Sequence, residues 1–190
     1  MKNAIVILIT LLAFNTSFSQ TKICTIKGDS KRKDLQHLDS LKNRQISNIV
    51  PDTISIDSFM LSGSDLNRFD VNRIICVEGI VLLVKNGGTE TCECHSKKDS
   101  MKDIHVELVK ELPATNKQAM ICEFTRFTKS NLYSLQNIRK LVGKKVRICG
   151  YLFSDEEHKQ NSVTDNPNGS DLWRFTDIEI HPCFSIEVIK

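Results

Sequence analysis

The chain has 190 residues, 26 Lys and Arg against 23 Asp and Glu, and a net charge of +3. That length suits one domain with an appendage. The near-balance of charge gives no strong electrostatic case for nucleic acid, whose binders concentrate basic surface.

Residues 1–19 read as a cleavable export signal. Lys2 supplies the positive start, Ala4 to Phe14 is apolar but for Thr10, and Ser17-Phe18-Ser19 offers small residues before a cut at Ser19-Gln20. The apolar run is too short to span a bilayer of roughly 30 Å, and no later segment spans one. Thr21-Lys22-Ile23 lacks the small residues of a lipoprotein signal, so Cys24 is not expected to carry lipid. The expected location is secreted or periplasmic.

Residues 20–70 form a polar N-terminal extension. Leu35, Leu38 and Leu41 recur every third residue and predict one short helix. Pro51, the alternating Ile54 and Ile56, and Gly63 predict an extended piece followed by a loop.

Residues 71–190 carry the main domain. Ile74 to Lys85 predicts a long strand bent at Gly79. Ile104 to Leu108 alternates strictly and predicts a half-buried strand; Ala119 to Thr125 predicts a third. Ser130 as N-cap, the face Leu132, Leu135, Ile138 and Leu141, and Gly143 past the end predict a helix. Val146 to Phe153 is a fourth strand. Phe175 to Ile189 is a fifth, interrupted at Pro182. Three strands, a helix and two strands fit a mainly β fold: a five-stranded OB-like Greek-key barrel with the helix between strands three and four. A split α+β sheet is the alternative.

In that barrel, ligands lie across strands two and three, between the loops that join strands one to two and four to five. Those loops are 86–102 and 154–173, both long and polar. Alternation turns Ile104, Val106, Leu108, Ile178 and Ile180 inward, and so His105, Glu107, Glu179 and His181 outward. Glu123 follows them on the strand between. Strands roughly 4.8 Å apart bring these rows onto one patch, overhung by Asp155 and His158. Imidazoles beside carboxylates suit a divalent cation such as Zn²⁺, with His105, His158 and His181 as ligands, or acid–base chemistry with Glu107 or Glu179 as base. Trp173 and Arg174 end the second loop, placed to stack on a ligand or to cover the barrel mouth and pair with an outer carboxylate. A solvated face of paired charges competes with all of these.

Seven cysteines follow the cut: Cys24, Cys76, Cys92, Cys94, Cys122, Cys149 and Cys183. Export favours disulfides, and the odd count leaves at least one cysteine unpaired within the chain. Strand neighbours in the barrel make Cys76 with Cys149, or Cys122 with Cys183, candidate pairs. Cys92 or Cys94 then joins Cys24. One C-x-C with His95 lacks the second half that zinc sites show, so metal and a free thiol rank below a disulfide there.

Glu90-Thr91-Cys92-Glu93-Cys94, Asp103-Ile104-His105-Val106-Glu107-Leu108, Gly150 to His158, and Trp173-Arg174-Phe175-Thr176-Asp177-Ile178-Glu179-Ile180-His181-Pro182 together resemble E-S-C-N-C, D-T-H-I-E-L and W-R-A-T-x-W-E-I-H-P motifs. They resemble those of a family of exported bacterial OB-like proteins. The resemblance runs from about residue 73 onward and implies fold and export, not an activity. Glu93 stands where the pattern has Asn, and Asp177 where it has Trp.

Three functions fit these features. The first is a binding module for a polar ligand: a small molecule, saccharide or oligonucleotide. The second is a metal-dependent hydrolase, of phosphodiesters for instance. The third is an envelope protein whose face meets another protein.

Overall fold

The computed structural model describes residues 23–45, 50–61 and 68–190. The expected export signal and residues 49 and 62–64 of the expected loop lie outside them. Among the described residues six strands form: β1 (Asp52–Ser55), β2 (Ile74–Asn86), β3 (Ile104–Val109), β4 (Met120–Phe124), β5 (Lys145–Ser154) and β6 (Ile178–Val188). Their order is β1-β2-β3-β4-β6-β5, and β2 also pairs with β5. That last pairing closes a barrel of five strands with the Greek-key connectivity of an OB fold. The parallel β4–β6 contact is set by Ile121 opposite Glu179 and Cys122 opposite Ile180.

The length of β2 explains the closure. Its first half, from Ile74 to Ile80, pairs with β5; its second half, from Ile80 to Asn86, pairs with β3. One strand thus serves two neighbours and must bend between them. Gly79 sits at the changeover, where a Cβ would lie 2.7 Å from Leu108 Cγ. The bend needs a residue without a side chain, as the sequence indicates. β1 is a sixth strand that the sequence reading treats only as an extended piece. It runs parallel to β2, from Asp52 opposite Ile75 to Ser55 opposite Glu78. A 3-10 turn follows, and Phe59 enters the core.

Inside the barrel, Val106, Leu108, Met120, Cys122, Phe124, Ile148, Leu152, Ile178 and Ile180 pack as one apolar cluster. The alternation therefore assigns the inward faces correctly. The helix between the third and fourth barrel strands is shorter than its apolar face predicts. It is α2 (Leu135–Arg139), capped by Ser134, whose Oγ accepts from Asn137 N at 3.3 Å. Ser130 Oγ accepts instead from Tyr133 N at 3.2 Å and closes a separate turn, which leaves Leu132 68% exposed.

The N-terminal helix α1 (Lys33–Lys42) forms where the leucine spacing places it, but its most buried residues are polar. Asp39 and Lys42 are buried; Leu35, Leu38 and Leu41 are only half-buried. The helix packs its polar side on the loop after β2 and on the outside of the barrel.

Two of the disulfides form as expected. Cys76 joins Cys149 across β2 and β5, and Cys24 joins Cys94 rather than Cys92. The Cys122–Cys183 candidate does not form: the β4–β6 register sets Cys122 opposite Ile180, and the two cysteines stay neighbouring buried thiols in the core. Cys183 Sγ donates to Ile180 O at 3.1 Å. Cys92 is a buried thiol beside Glu90 Oε2, 3.5 Å away. Among the described residues, no helix is long and apolar enough to cross a membrane.

Candidate functional site

The outward rows of β3, β4 and β6 do converge, but not onto a solvated patch. His105, Glu107, Glu123, Glu179 and His181 are all buried, His181 completely. The correction has a physical cause: α1, the loop after β2 and the loop after β5 close over the face. Strand alternation reports inside and outside of a barrel, not whether a second layer covers the outside.

Strand register builds the centre. His105 lies opposite Glu123 in the β3–β4 ladder, and their side chains meet at 2.8 Å, Nδ1 to Oε1. β6 runs beside β4, so His181 reaches the other oxygen of the same carboxylate, with Nδ1 3.3 Å from Glu123 Oε2. His181 Nδ1 also hydrogen-bonds Glu179 Oε2 at 3.2 Å, and its Nε2 faces Asp103 Oδ2 at 3.2 Å. Burial alone would lower both imidazole pKa values. For His105 the Glu107 and Glu123 carboxylates outweigh burial and raise it to about 9. For His181 the carboxylates of Asp103, Glu179 and Glu123 raise it to about 10. Both rings are therefore cationic at neutral pH.

The loop after β5 adds a second layer. Arg174 is fully buried, as one of the paired-charge readings requires. Its Nη1 donates to Asp155 Oδ2 at 3.0 Å, its Nη2 to Glu179 Oε1 at 2.6 Å, and its Nε to Thr176 O at 2.9 Å. Asp155 also holds His158 Nδ1 at 2.6 Å. Burial opposes ionisation of Asp155, but His158, Lys42 and Arg174 hold its carboxyl well below the usual range. The Asp155 hydrogen bond in turn raises the pKa of His158. Trp173 packs its ring edge-on with His158, 5.2 Å between centroids, and lies under the Arg174 guanidinium at 5.0 Å.

The N-terminal extension supplies the third side. Lys42 Nζ donates to Glu90 Oε2 at 2.6 Å and sits 5.6 Å over the Phe153 ring. Asn43 Nδ2 donates to Ile26 O and Cys92 O, both at 3.1 Å. Arg44 Nη2 donates to Leu152 O at 2.9 Å. The Cys24–Cys94 disulfide ties this extension to the same loop.

Between the layers a cleft of about 250 Å³ opens, lined by Lys42, Lys85, Glu90, His105, Glu123 and Trp173. Asp155, His158 and Glu179 complete its polar wall with the backbone of Gly87 and Gly88. Of the residues singled out in the sequence, His105, Glu123, Asp155, His158, Trp173 and Glu179 reach this cleft. Arg174 and His181 stand behind it. Glu107 is buried against His105 at 3.6 Å and Lys85 at 3.9 Å, away from the opening. Lys42, Glu90 and Asp103 escape the sequence reading. The D-x-H-x-E-L motif, which begins on Asp103, and the E-S-C-N-C-like motif, which begins on Glu90, mark two of them.

His105 and His181 share the Glu123 carboxylate, while His158 is held apart from them by Asp155. Among the described residues, the group whose potential ligand atoms all lie within 4.8 Å is Asp103, Glu123 and His181. Of the expected ligands His105, His158 and His181, only the last belongs to it.

No family model and no curated protein sequence matches the chain. Among solved structures it is similar to Entamoeba histolytica asparaginyl-tRNA synthetase, at 14% identity and a TM-score of 0.39. The similarity covers 75% of this chain and 24% of that one, so the chain spans about a quarter of the synthetase's length.

Proposed function

We propose that the protein is an exported binding module whose cleft takes a small, uncharged, hydroxyl-rich ligand: one sugar unit, free or within a saccharide. One observation carries this reading. The cleft lies where barrels of this topology take oligosaccharides and oligonucleotides, and its charges are already paired with one another. Lys42 holds Glu90, His105 holds Glu123, His158 holds Asp155 and Arg174 holds Glu179. Such a wall offers many donors and acceptors but little net field, so it selects by hydrogen bonding rather than charge. With its cations already paired, the wall holds no surplus of positive charge to favour a phosphate backbone. The volume, about 250 Å³, is just below the usual range for ligand pockets and suits one ring rather than several. Trp173 offers an apolar surface for the C–H face of that ring. The disulfides support a life in an oxidising compartment, in keeping with the export signal read at residues 1–19.

Trp173 is the chain's one tryptophan, so its emission reports on the cleft directly. Titration with a panel of mono- and oligosaccharides is expected to give a saturable emission change with at least one member. Asp155→Asn and Lys42→Ala are expected to weaken it. A saturable change with single-stranded oligonucleotides, and with no saccharide, would replace this reading with a nucleic-acid one.

A further inference from the structure

We propose that Asp103, Glu123 and His181 form a binding site for a first-row divalent cation of the Zn²⁺ or Mn²⁺ type, set behind the wall of the cleft. This goes beyond ligand binding in the cleft and does not depend on it.

Three observations carry the site. The first is distance. Potential ligand atoms of the three residues lie within 4.8 Å of one another, and His181 Nε2 is 3.2 Å from Asp103 Oδ2. Two ligands about 2.0–2.2 Å from a tetrahedral metal stand roughly 3.3 Å apart. Asp103 and His181 therefore already have the spacing of a ligand pair.

The second is an unsatisfied donor set. His181 is fully buried, and its Nε2 has no hydrogen-bond partner, because the Asp103 oxygen is close but misaligned. A buried ring nitrogen without a partner is costly. Glu93, which accepts from the Asp103 backbone N–H through Oε1, leaves its buried Oε2 without a partner in the same quarter. A cation bound between Asp103 and His181 would take the place of the Nε2 proton, which is released on binding, and give the ring nitrogen a partner.

The third is the outer ring of contacts. A histidine that ligates a metal through one nitrogen usually gives its other N–H to a carboxylate, which fixes the ring and its tautomer. His181 does this through Nδ1, 3.2 Å from Glu179 Oε2, and Glu179 is itself clamped by Arg174 at 2.6 Å. Glu123 is oriented in the same way by His105 Nδ1 at 2.8 Å. Each of two ligands thus has a supporting partner, and each partner comes from a different element. One imidazole and two carboxylates fit Zn²⁺ or Mn²⁺ better than Ca²⁺, which takes six to eight oxygens. Glu123 lines the cleft as well. It marks the side from which the cation enters, and a bound cation would fix its carboxylate at the cleft wall.

The test starts from disulfide-intact full-length protein stripped with a chelator and titrated calorimetrically with Zn²⁺ or Mn²⁺, without any organic ligand. Binding of one equivalent is expected, with a rise in Tm on loading. Asp103→Asn and His181→Gln should abolish it, Glu179→Gln should weaken it roughly 10–100-fold, and His158→Gln should leave it intact. X-ray absorption at the metal edge of the loaded wild type needs no variant to fold. It should show imidazole and oxygen donors and no sulfur. The absence of any bound equivalent overturns the proposal. So does sulfur in the first shell, loss of metal in His158→Gln, or retention in folded Asp103→Asn. Saccharide titrations of Trp173 emission are read separately, so failure of the cleft reading and failure of the metal site are distinguishable.

Discussion

The two sides of the β3–β4–β6 wall are both buried and are held by opposite means. Inward, Val106, Leu108, Phe124 and Ile180 pack by shape and area. Outward, His105, Glu123, Glu179 and His181 are also buried, the first three at the wall of the cleft, and each is tolerated there because the next one compensates its charge. An apolar core loses energy in proportion to the volume removed. A buried charge network fails when one member goes, since the partner is left ionised and unpaired in a poor dielectric. The polar side thus depends on completeness, the apolar side on fit.

That contrast can be broken most directly by one substitution on each side. Phe124→Ala and Arg174→Met are each expected to cost about 3–5 kcal/mol in urea unfolding at pH 7. Their pH dependence should then differ. The Arg174→Met deficit narrows as pH falls, as Asp155, having lost part of what holds its carboxyl ionised, takes up a proton. The Phe124→Ala deficit does not change. Equal behaviour of the two variants would show that the outer network does not hold its charges as described.

A smaller effect concerns the cap that makes the outer face dry. Replacing Cys24 and Cys94 together with Ser opens a link between residues 70 apart in sequence and is expected to cost about 2–4 kcal/mol. Hydrogen exchange should then speed up in α1 and around Glu90, while β3 and β4 keep their protection. Uniform loss of protection would mean that cap and barrel unfold as one unit.

Asp177 sharpens the comparison from within the same layer. It is fully buried, with Oδ2 accepting from Ser154 Oγ at 2.8 Å and Oδ1 without a partner, and burial pushes its pKa up to about 6. A folded-state pKa above the unfolded value means that ionisation opposes folding. The penalty is absent below about pH 4 and grows until about pH 6. Asp177→Asn should therefore stabilise the protein at pH 7 by up to about 2–3 kcal/mol and have no such effect at pH 3.5. The smallest effect is at the rim. His158, 40% exposed in its side chain, has its pKa raised by the Asp155 hydrogen bond. Stability from this pair is complete below the unfolded pKa near 6.5 and is lost as pH rises through the folded value. His158→Gln should cost under about 1 kcal/mol. The Trp173 emission of the wild type should titrate with a midpoint above 6.5, and a midpoint at or below it would show that the Asp155 bond is not formed.

The inward half of this wall was legible because it obeys a local rule. The alternation of Ile104, Val106 and Leu108 fixes which residues face the core, and Gly79 marks the bend in β2. The gathering of His105, Glu123 and His181 followed from the same parity. What parity does not carry is the second layer. Burial of the outward residues comes from α1 and two loops folding back over distances of tens of residues, and nothing within β3 encodes that. Lys42 and Asp103 were missed for related reasons. Lys42 lies off the leucine stripe that predicts α1, and Asp103 precedes its strand by one residue. The short α2 is a different failure: the Leu132–Leu141 face is periodic, but Ser134 rather than Ser130 supplies the cap.

β6 pairs with both β4 and β5, and it brings Glu179 and His181 with it. Both of its strand neighbours are already made when it is synthesised, but the carboxylate of Glu123 has no second imidazole until it docks. Sealing the barrel and withdrawing these charges from water are therefore the same event. Any intermediate that lacks β6 keeps Glu123 and Asp103 hydrated and tolerable, so such a species has little drive to collapse prematurely. The folding chain is expected to be rate-limited by this late, long-range docking, with the polar face acting as a check on strand register: a slip of one residue would send His181 into the apolar interior and Ile180 among the carboxylates.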